Sequence, residues 1–424
     1  MPYRDVVSKQ VLIWACTAVG ARMPVAMAPL ALVFLVRERP GGYSLGAMIA
    51  AAYVIGEILC APVLGMRLRP ERARLHLAVG LAVGAAAFAG LGGLPDAHPA
   101  VLAGLAFVAG AAPAAATGGL RTLLTTLVPE RAAAQALSVE SILTAAVWAA
   151  SPAAVAGLAL GAAPAVPLRL AAVLMASSAA GLWFLPAAWG VGGRAGADAP
   201  LARVLAGAWP VYVTGAASLT LLGLSELVLP ALLEQRGIGV GWSGPLLAGM
   251  AVGGGLGAFL HGLRAWPGRL RTHSMLLMTG TAACTTLAAL IPHTAGIAVA
   301  LVVGGMLQSA AMLTRNLALR AALPARAHAA GYSVMYAAAG AGYAATGSLA
   351  GALLRVVAPS TAVLAGVGVT LLLSAVGWWG EVRRAGRSAR GADAAVAGTG
   401  ARPGARPGAE GPAIGGRGDA EHCL

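Results

Sequence analysis

Twelve apolar runs of roughly 18 to 25 residues follow one another along this chain, each long enough to cross a bilayer core of about 30 Å. They cover residues 11–36, 44–66, 77–95, 99–120, 136–161, 167–189, 207–233, 243–263, 274–292, 295–318, 329–355 and 361–380. Backbone amides buried in hydrocarbon find no water, so each run must close its own hydrogen bonds as a helix. The pattern predicts an all-α polytopic membrane protein with twelve transmembrane helices. A mean hydropathy of +0.79 over 424 residues lies outside the range of soluble domains and agrees with that reading.

The charge distribution gives the sidedness. The net charge is +14, carried by 28 Arg and one Lys. Placing the run ends alternately on two sides puts 23 basic residues with the N-terminus and five (Arg37, Arg39, Arg169, Arg236, Arg355) on the other side. Without the seven in the C-terminal tail the ratio is still sixteen to five. That asymmetry is the positive-inside pattern, and it predicts a cytoplasmic (inner) membrane protein with both termini in the cytoplasm. The basicity is topological, which argues against nucleic acid as a partner and for the lipid bilayer. Arg4 and Lys9 precede an apolar stretch, but the run resumes after Arg22, as expected for an uncleaved first helix. Cys16, Cys60, Cys284 and Cys423 form no CxxC pair.

Organisation follows from a repeat. GMRLRPERARLH (65–76) returns as GLRAWPGRLRTH (262–273), so that Gly65, Arg67, Pro70, Arg72, Arg74 and His76 meet Gly262, Arg264, Pro267, Arg269, Arg271 and His273 at an offset of 197. At offset 195, Pro129, Arg131, Ser138, Val139 and Pro164 meet Pro324, Arg326, Ser333, Val334 and Pro359. The same loops recur in the same order. This predicts two parallel six-helix bundles, residues 1–190 and 207–380, joined by a polar linker (191–206) and followed by a disordered tail (381–424).

With this pattern the chain resembles the major facilitator superfamily over roughly residues 10–380, and more narrowly actinobacterial twelve-helix exporters of that superfamily. In the family's loop between helices two and three, Gly65 matches the leading Gly and Arg74 the final basic residue. Arg69 stands where the family places an Asp, and Arg72 where it places a second Gly, so the acidic latch is missing. Ser151-Pro152 with Gly157 is a partial match to the Gly-Pro of antiporter helix five. AFVAGAAP (106–113) lacks the Arg that many drug/proton antiporters carry on helix four. The resemblance implies alternating access between the two bundles, with Arg69, Arg72, Arg74, Arg264, Arg269, Arg271, Gly65 and Gly262 in the cytoplasmic gating loops.

Ionisable groups within the hydrocarbon mark functional sites by default. Arg22 lies about 11 residues, roughly 16 Å, from the cytoplasmic end of its helix, and Glu57 about nine residues, some 14 Å, from the same face. Matching depth predicts a buried Arg22–Glu57 pair. It is either a static lock between helices or a site where Glu57 titrates and Arg22 attracts Glu57 or a substrate carboxylate. Glu226, followed by Pro230, is a proton carrier, an outer-gate residue or an interfacial carboxylate. Arg315 and Asn316 sit near the inner end of helix ten, where Arg315 is expected to snorkel to the surface. Glu140 is expected to pair with loop arginines as a gate residue. Trp148 lies mid-helix, as a cavity wall or a gap filler. Gln308 and Asn316 are rare intramembrane amides, and such scarcity disfavours a sugar site.

HExxH, Walker A, metal-ligand Cys/His clusters and a nucleophile elbow are absent from the sequence. No cofactor, metal or enzymatic activity is expected. The expected function is secondary active transport by alternating access, as proton-coupled efflux of a small organic molecule such as a drug or secondary metabolite. Uptake of a small organic anion through Arg22 is the alternative, and a membrane scaffold or enzyme a third.

Overall fold

The computed structural model describes residues 8–186 except 41 and 69, and residues 200–399 except 264, 265 and 267. Arg69, Arg264, Pro267, residues 187–199 (the end of the first bundle and most of the linker) and the end of the tail (400–424) lie outside the described residues. The first half contains α1 (Lys9–Val36), α2 (Gly42–Arg67), α3 (Ala73–Gly93), α4 (Pro99–Ala111), α5 (Ala116–Leu127), α6 (Ala133–Gly161) and α7 (Val166–Gly181). The second contains α8 (Leu201–Gly207), α9 (Trp209–Leu227), α10 (Leu229–Gln235), α11 (Ser243–Leu263), α12 (Leu270–Leu290), α13 (Thr294–Ala322), α14 (His328–Leu353) and α15 (Pro359–Thr399). No strand occurs among the described residues.

Each of the twelve apolar runs is helical over most of its described residues. Nine helical stretches among the described residues are long and apolar enough to cross a membrane, and a tenth is reached if α8 and α9, bent by 56°, count as one span. The runs at α12 and α14 take their places in the bundle although they fall short of that apolarity. α12 carries Arg271, His273 and several threonines, and α14 carries three tyrosines and five glycines.

Three boundaries differ from the sequence expectation. The fourth run is two helices, because Pro113 can neither donate to the ladder nor clear the preceding turn. It continues to Leu127 instead of ending at 120, which brings Arg121 into the span. Residues 201–206 of the expected linker, together with Gly207, form α8. Residues 381–399, expected to be disordered, continue α15 as helix. Among the described residues, those up to Glu381 form one compact unit and those from Val382 onward belong to a second.

The repeat recurs in the contacts. Where α2 crosses α4, a Cβ on Gly56 would come within 2.4 Å of the Phe107 carbonyl oxygen, and one on Gly110 within 2.2 Å of that of Tyr53. Where α11 crosses α13, Gly253 faces the Val302 carbonyl oxygen and Gly305 that of Met250, both at 2.2 Å. These four contacts map onto each other at offsets 195 and 197. Small residues let membrane helices approach backbone to backbone.

The halves join through α2 against α14 and α6 against α11, two images of one contact under the repeat, with α5 also packed on α14. The seam is closed toward the face from which α1 starts, the N-face. There Ser138 donates to the Ala258 carbonyl at 2.5 Å, and Ala61, Ala114 and Ala337 pack together. Ser333 is wedged against Gly65 and Gly118, where a Cβ would come within 2.6 Å and 2.4 Å of it respectively. From Ala330 to Gly340 each residue of α14 is buried or half-buried, whereas Ala341, Ala344, Ala345 and Ser348 are exposed. Over its N-face part α14 is therefore packed tightly into the seam, and beyond Gly340 one face of it is left uncovered.

This packing leaves no room at Gly118. Gly118→Val should force α5 and α14 apart and raise the rate at which an Ala337→Cys thiol is labelled from the N-face by about tenfold, in a background without the other cysteines. An unchanged rate would show that the seam does not depend on that contact.

Candidate functional site

In the packed part of the seam lies a buried polar cluster built from both halves. Arg22, on α1 between Pro24 and the N-face, donates through Nη2 to Glu140 Oε1 at 2.5 Å and through Nη1 to Thr144 Oγ1 at 2.8 Å. Arg121, on α5, donates through Nη2 to the same Glu140 Oε1 at 2.7 Å and through Nη1 to Asn316 Oδ1 at 3.1 Å. Two guanidinium groups therefore share one carboxylate oxygen. Arg22 and Arg121 are each 7% exposed and Glu140 is fully buried. Among the described residues, Glu140 Oε2 and the Nε of both arginines have no hydrogen-bond partner.

Aromatic rings support the cluster. The Arg22 guanidinium lies 5.9 Å from the Trp14 ring centroid, and that indole is fixed by donating to the Leu120 carbonyl at 2.7 Å. The Arg121 guanidinium lies 5.4 Å from the Tyr332 ring. Arg121 and Asn316 are 195 residues apart, the offset of the repeat, so equivalent positions of the halves meet here.

Glu57 stands beside this cluster with a different partner. It is half-buried on α2 and accepts a hydrogen bond from the Tyr336 hydroxyl of α14, across the seam, at 2.9 Å. Tyr336 is close enough to Arg22 and Arg121 to interact electrostatically with both, and Tyr53, one turn along α2, is buried near Glu57. The expected Arg22–Glu57 pair is thus replaced by two pairings, Arg22–Glu140 and Glu57–Tyr336. Equal depth did not decide between two acids at similar height, and α6 brings Glu140 onto the face that α1 presents.

Other candidates fall elsewhere. Glu226, half-buried on α9, accepts from Tyr343 of α14 at 2.9 Å, and the chain breaks at Val228 just before Pro230. Tyr336 and Tyr343 are two turns apart, about 10 Å along α14. Arg315 does not snorkel. It is 1% exposed, pairs with Glu381 of α15, and donates to Thr214 Oγ1 at 3.1 Å and the Leu270 carbonyl at 3.3 Å. A guanidinium that ties four helices together gains more from those partners than from the surface. Glu140 pairs with two membrane arginines instead of loop arginines. Trp148 is 51% exposed on α6, one turn beyond Thr144, and Gln308 is buried against Ser218.

In the loops, Arg72 and Arg269 are exposed at the starts of α3 and α12, while Arg271 is half-buried. Arg74 stacks 4.5 Å from the Trp183 ring centroid. Gly65 and Gly262 are buried, the first against Ser333. Near the N-face, Arg320 also reaches Glu130 across the seam at 3.4 Å. Among the described residues no group of three His, Cys, Asp or Glu side chains could hold a metal ion.

Arg121, Tyr332, Tyr336 and Tyr343 were not among the sequence candidates. Arg121 had a signal: continuing the fourth run past its apolar part as helix places it one repeat length from Asn316.

Solved structures with the same arrangement decide the fold. The human organic anion transporter MFSD10 (TETRAN) superposes with a TM-score of 0.67 at 15% identity, covering 87% of this chain and 98% of that one. FucP in the outward conformation superposes at 0.67 and 14%, covering 88% and 99%. The fold is that of the major facilitator superfamily. A bacterial homologue of the iron transporter ferroportin in an outward-facing state matches this superfamily fold equally well, at 0.67 and 15%, covering 88% and 97%. No family model and no curated protein sequence matches the chain. The superfamily architecture accounts for the two joined bundles.

Proposed function

We propose that this chain is a secondary active transporter of the cytoplasmic membrane, with both termini cytoplasmic, that exports a small organic molecule in exchange for protons. The observation that carries the reading is the bond from Tyr336 to Glu57 across the seam, beside the cluster of two arginines and one acid. With Glu57 ionised the four groups sum to zero charge; with it protonated the sum is +1. Either a proton or a monovalent cationic substrate at Glu57 leaves the cluster with the same net charge, so the two compete, which is the logic of exchange. Protonation also converts a charge-assisted bond into a neutral one of roughly half its strength, which loosens the seam. Rocking of one half against the other then opens the seam toward the N-face.

A second reading is uptake of a small organic anion together with a proton. It draws on the unpartnered Nε groups of Arg22 and Arg121 and on the excess positive charge that appears when Glu57 is protonated.

Comparing extracellular metabolites of a deletion strain and an overexpressor supplies candidate compounds. In everted vesicles with an acidified lumen, such a compound should accumulate inside, and a protonophore should abolish the gradient. Uptake by intact cells would favour the anion reading. Accumulation that is indifferent to the protonophore would contradict proton coupling.

A further inference from the structure

At the far face of the carboxyl-terminal half a cavity of about 350 Å³ lies between Trp242, Pro245 and Gly249, in and just before α11, and Thr294, Ala298 and Val302 of α13. It opens beside the glycine crossing of the two helices. They touch where Gly253 meets the Val302 carbonyl oxygen, and beyond that contact only small side chains, at Gly249, Ala295 and Ala298, stand between them. The first half builds the same crossing with larger side chains. Ala52 stands where α11 has Gly249, at offset 197, and Phe107 where α13 has Val302, at offset 195.

The cavity belongs to the surface that faces the bilayer. Val252 of α11 and Val299 and Val303 of α13 continue its lining along each helix and are exposed. The lining side chains are hydrocarbon apart from the Thr294 hydroxyl and the Trp242 indole nitrogen, both at the far-face end. Water and ions find too few polar partners in such a recess, and an unfilled one forfeits the dispersion contacts of its walls. From Thr294 to Val302 the recess follows α13 for about 12 Å. One leaflet of a hydrocarbon core of about 30 Å is about 15 Å deep. Trp242, 53% exposed, stands at the outer end, where interfacial indoles lie at headgroup level. Direction, depth and chemistry are those of a single lipid tail.

We propose that this cavity is a lipid site, which holds one acyl chain of a phospholipid from the far-face leaflet as a wedge between α11 and α13. α11 also packs on α6 at the seam, so the tail supports a helix on which the joint between the halves depends. The site lies within one half, and its existence does not depend on proton coupling at the seam.

The full chain is placed in vesicles of phosphatidylcholine and phosphatidylglycerol that contain a phosphatidylcholine with a photoactivatable diazirine in one acyl chain. Crosslinks to residues 242–249 and 294–302 should form with a yield about fivefold above that at the matching residues 45–52 and 99–107, which report ordinary contact with bulk lipid. Val302→Phe closes the inner end with the side chain the first half carries, and Ala295→Leu narrows the outer end. Each should bring the yield down to that of the first half, and neither should unfold earlier than the parent in detergent. The two act at opposite ends, so the fold failing in one leaves the other as the test. Equal yields in the two halves of the parent would show bulk lipid alone and overturn the site. A parent yield below that of the first half, as when a second copy of the chain covers this face, would overturn it too. A high yield that well-folded variants leave unchanged would place the lipid elsewhere.

Discussion

Glu140→Gln should be among the most damaging single substitutions in the chain, lowering stability by about 3–5 kcal/mol. The glutamine has nearly the same shape but no charge, so two buried guanidinium groups lose the one carboxylate they share. Neither can reach water without moving a helix, since Arg22 and Arg121 are each 7% exposed. Thermal unfolding in detergent checks this, with Glu71→Gln as an exposed control expected to shift little. The pairing also predicts non-additivity. Arg22→Gln combined with Glu140→Gln leaves one uncompensated charge instead of two, so the double variant should be more stable than Glu140→Gln alone. If it is less stable, the cluster is not held by charge balance.

Glu57→Gln should abolish gradient-driven accumulation while leaving substrate binding measurable. Its carboxylate has a neutral partner, the Tyr336 hydroxyl, whereas Glu140 is held by two arginines. Under the proposed mechanism that difference gives the two acids different work: Glu140 serves as the structural counter-charge, and Glu57 carries the exchangeable proton. A glutamine preserves the hydrogen bond from Tyr336 and removes the titration. In the vesicle assay the accumulation ratio should therefore fall to one, with exchange of labelled for unlabelled compound retained. Tyr336→Phe keeps the acid and loses the cross-seam bond, and it should impair coupling less than Glu57→Gln. Unchanged accumulation in Glu57→Gln would make this residue structural.

The length and spacing of the apolar runs were enough to read the twelve helices, and the basic loop written twice was enough to read the two halves. The glycines of the α2–α4 and α11–α13 crossings now give that repeat a physical basis, since the same backbone approach is built twice. Partnerships within the membrane were less legible. Depth along a helix follows from counting residues, but rotation about the helix axis does not follow in helices apolar all round. Hence Arg22 was matched to Glu57 when Glu140 faces it. Arg121 lies beyond the reach of hydropathy because the apolar run stops at Leu120, while the helix continues about two more turns to Leu127. Arg315 looked like a surface residue because Glu381 lies just past the last apolar run, although α15 carries it back to the bundle. The tyrosines of α14 carry no charge, so in the sequence nothing sets them apart from other membrane-embedded aromatic residues.

The claim that joins these observations is that a proton at Glu57 releases the seam. Spin labels at Glu71 and Ala325, exposed N-face positions on opposite halves, would report the distance across it in a chain with its other cysteines replaced. Lowering the pH should add a longer-distance population in the parent, and Glu57→Gln, which mimics the protonated acid, should show that population at every pH. A parent distribution that ignores pH, or a Glu57→Gln variant that still responds to it in full, would contradict the account.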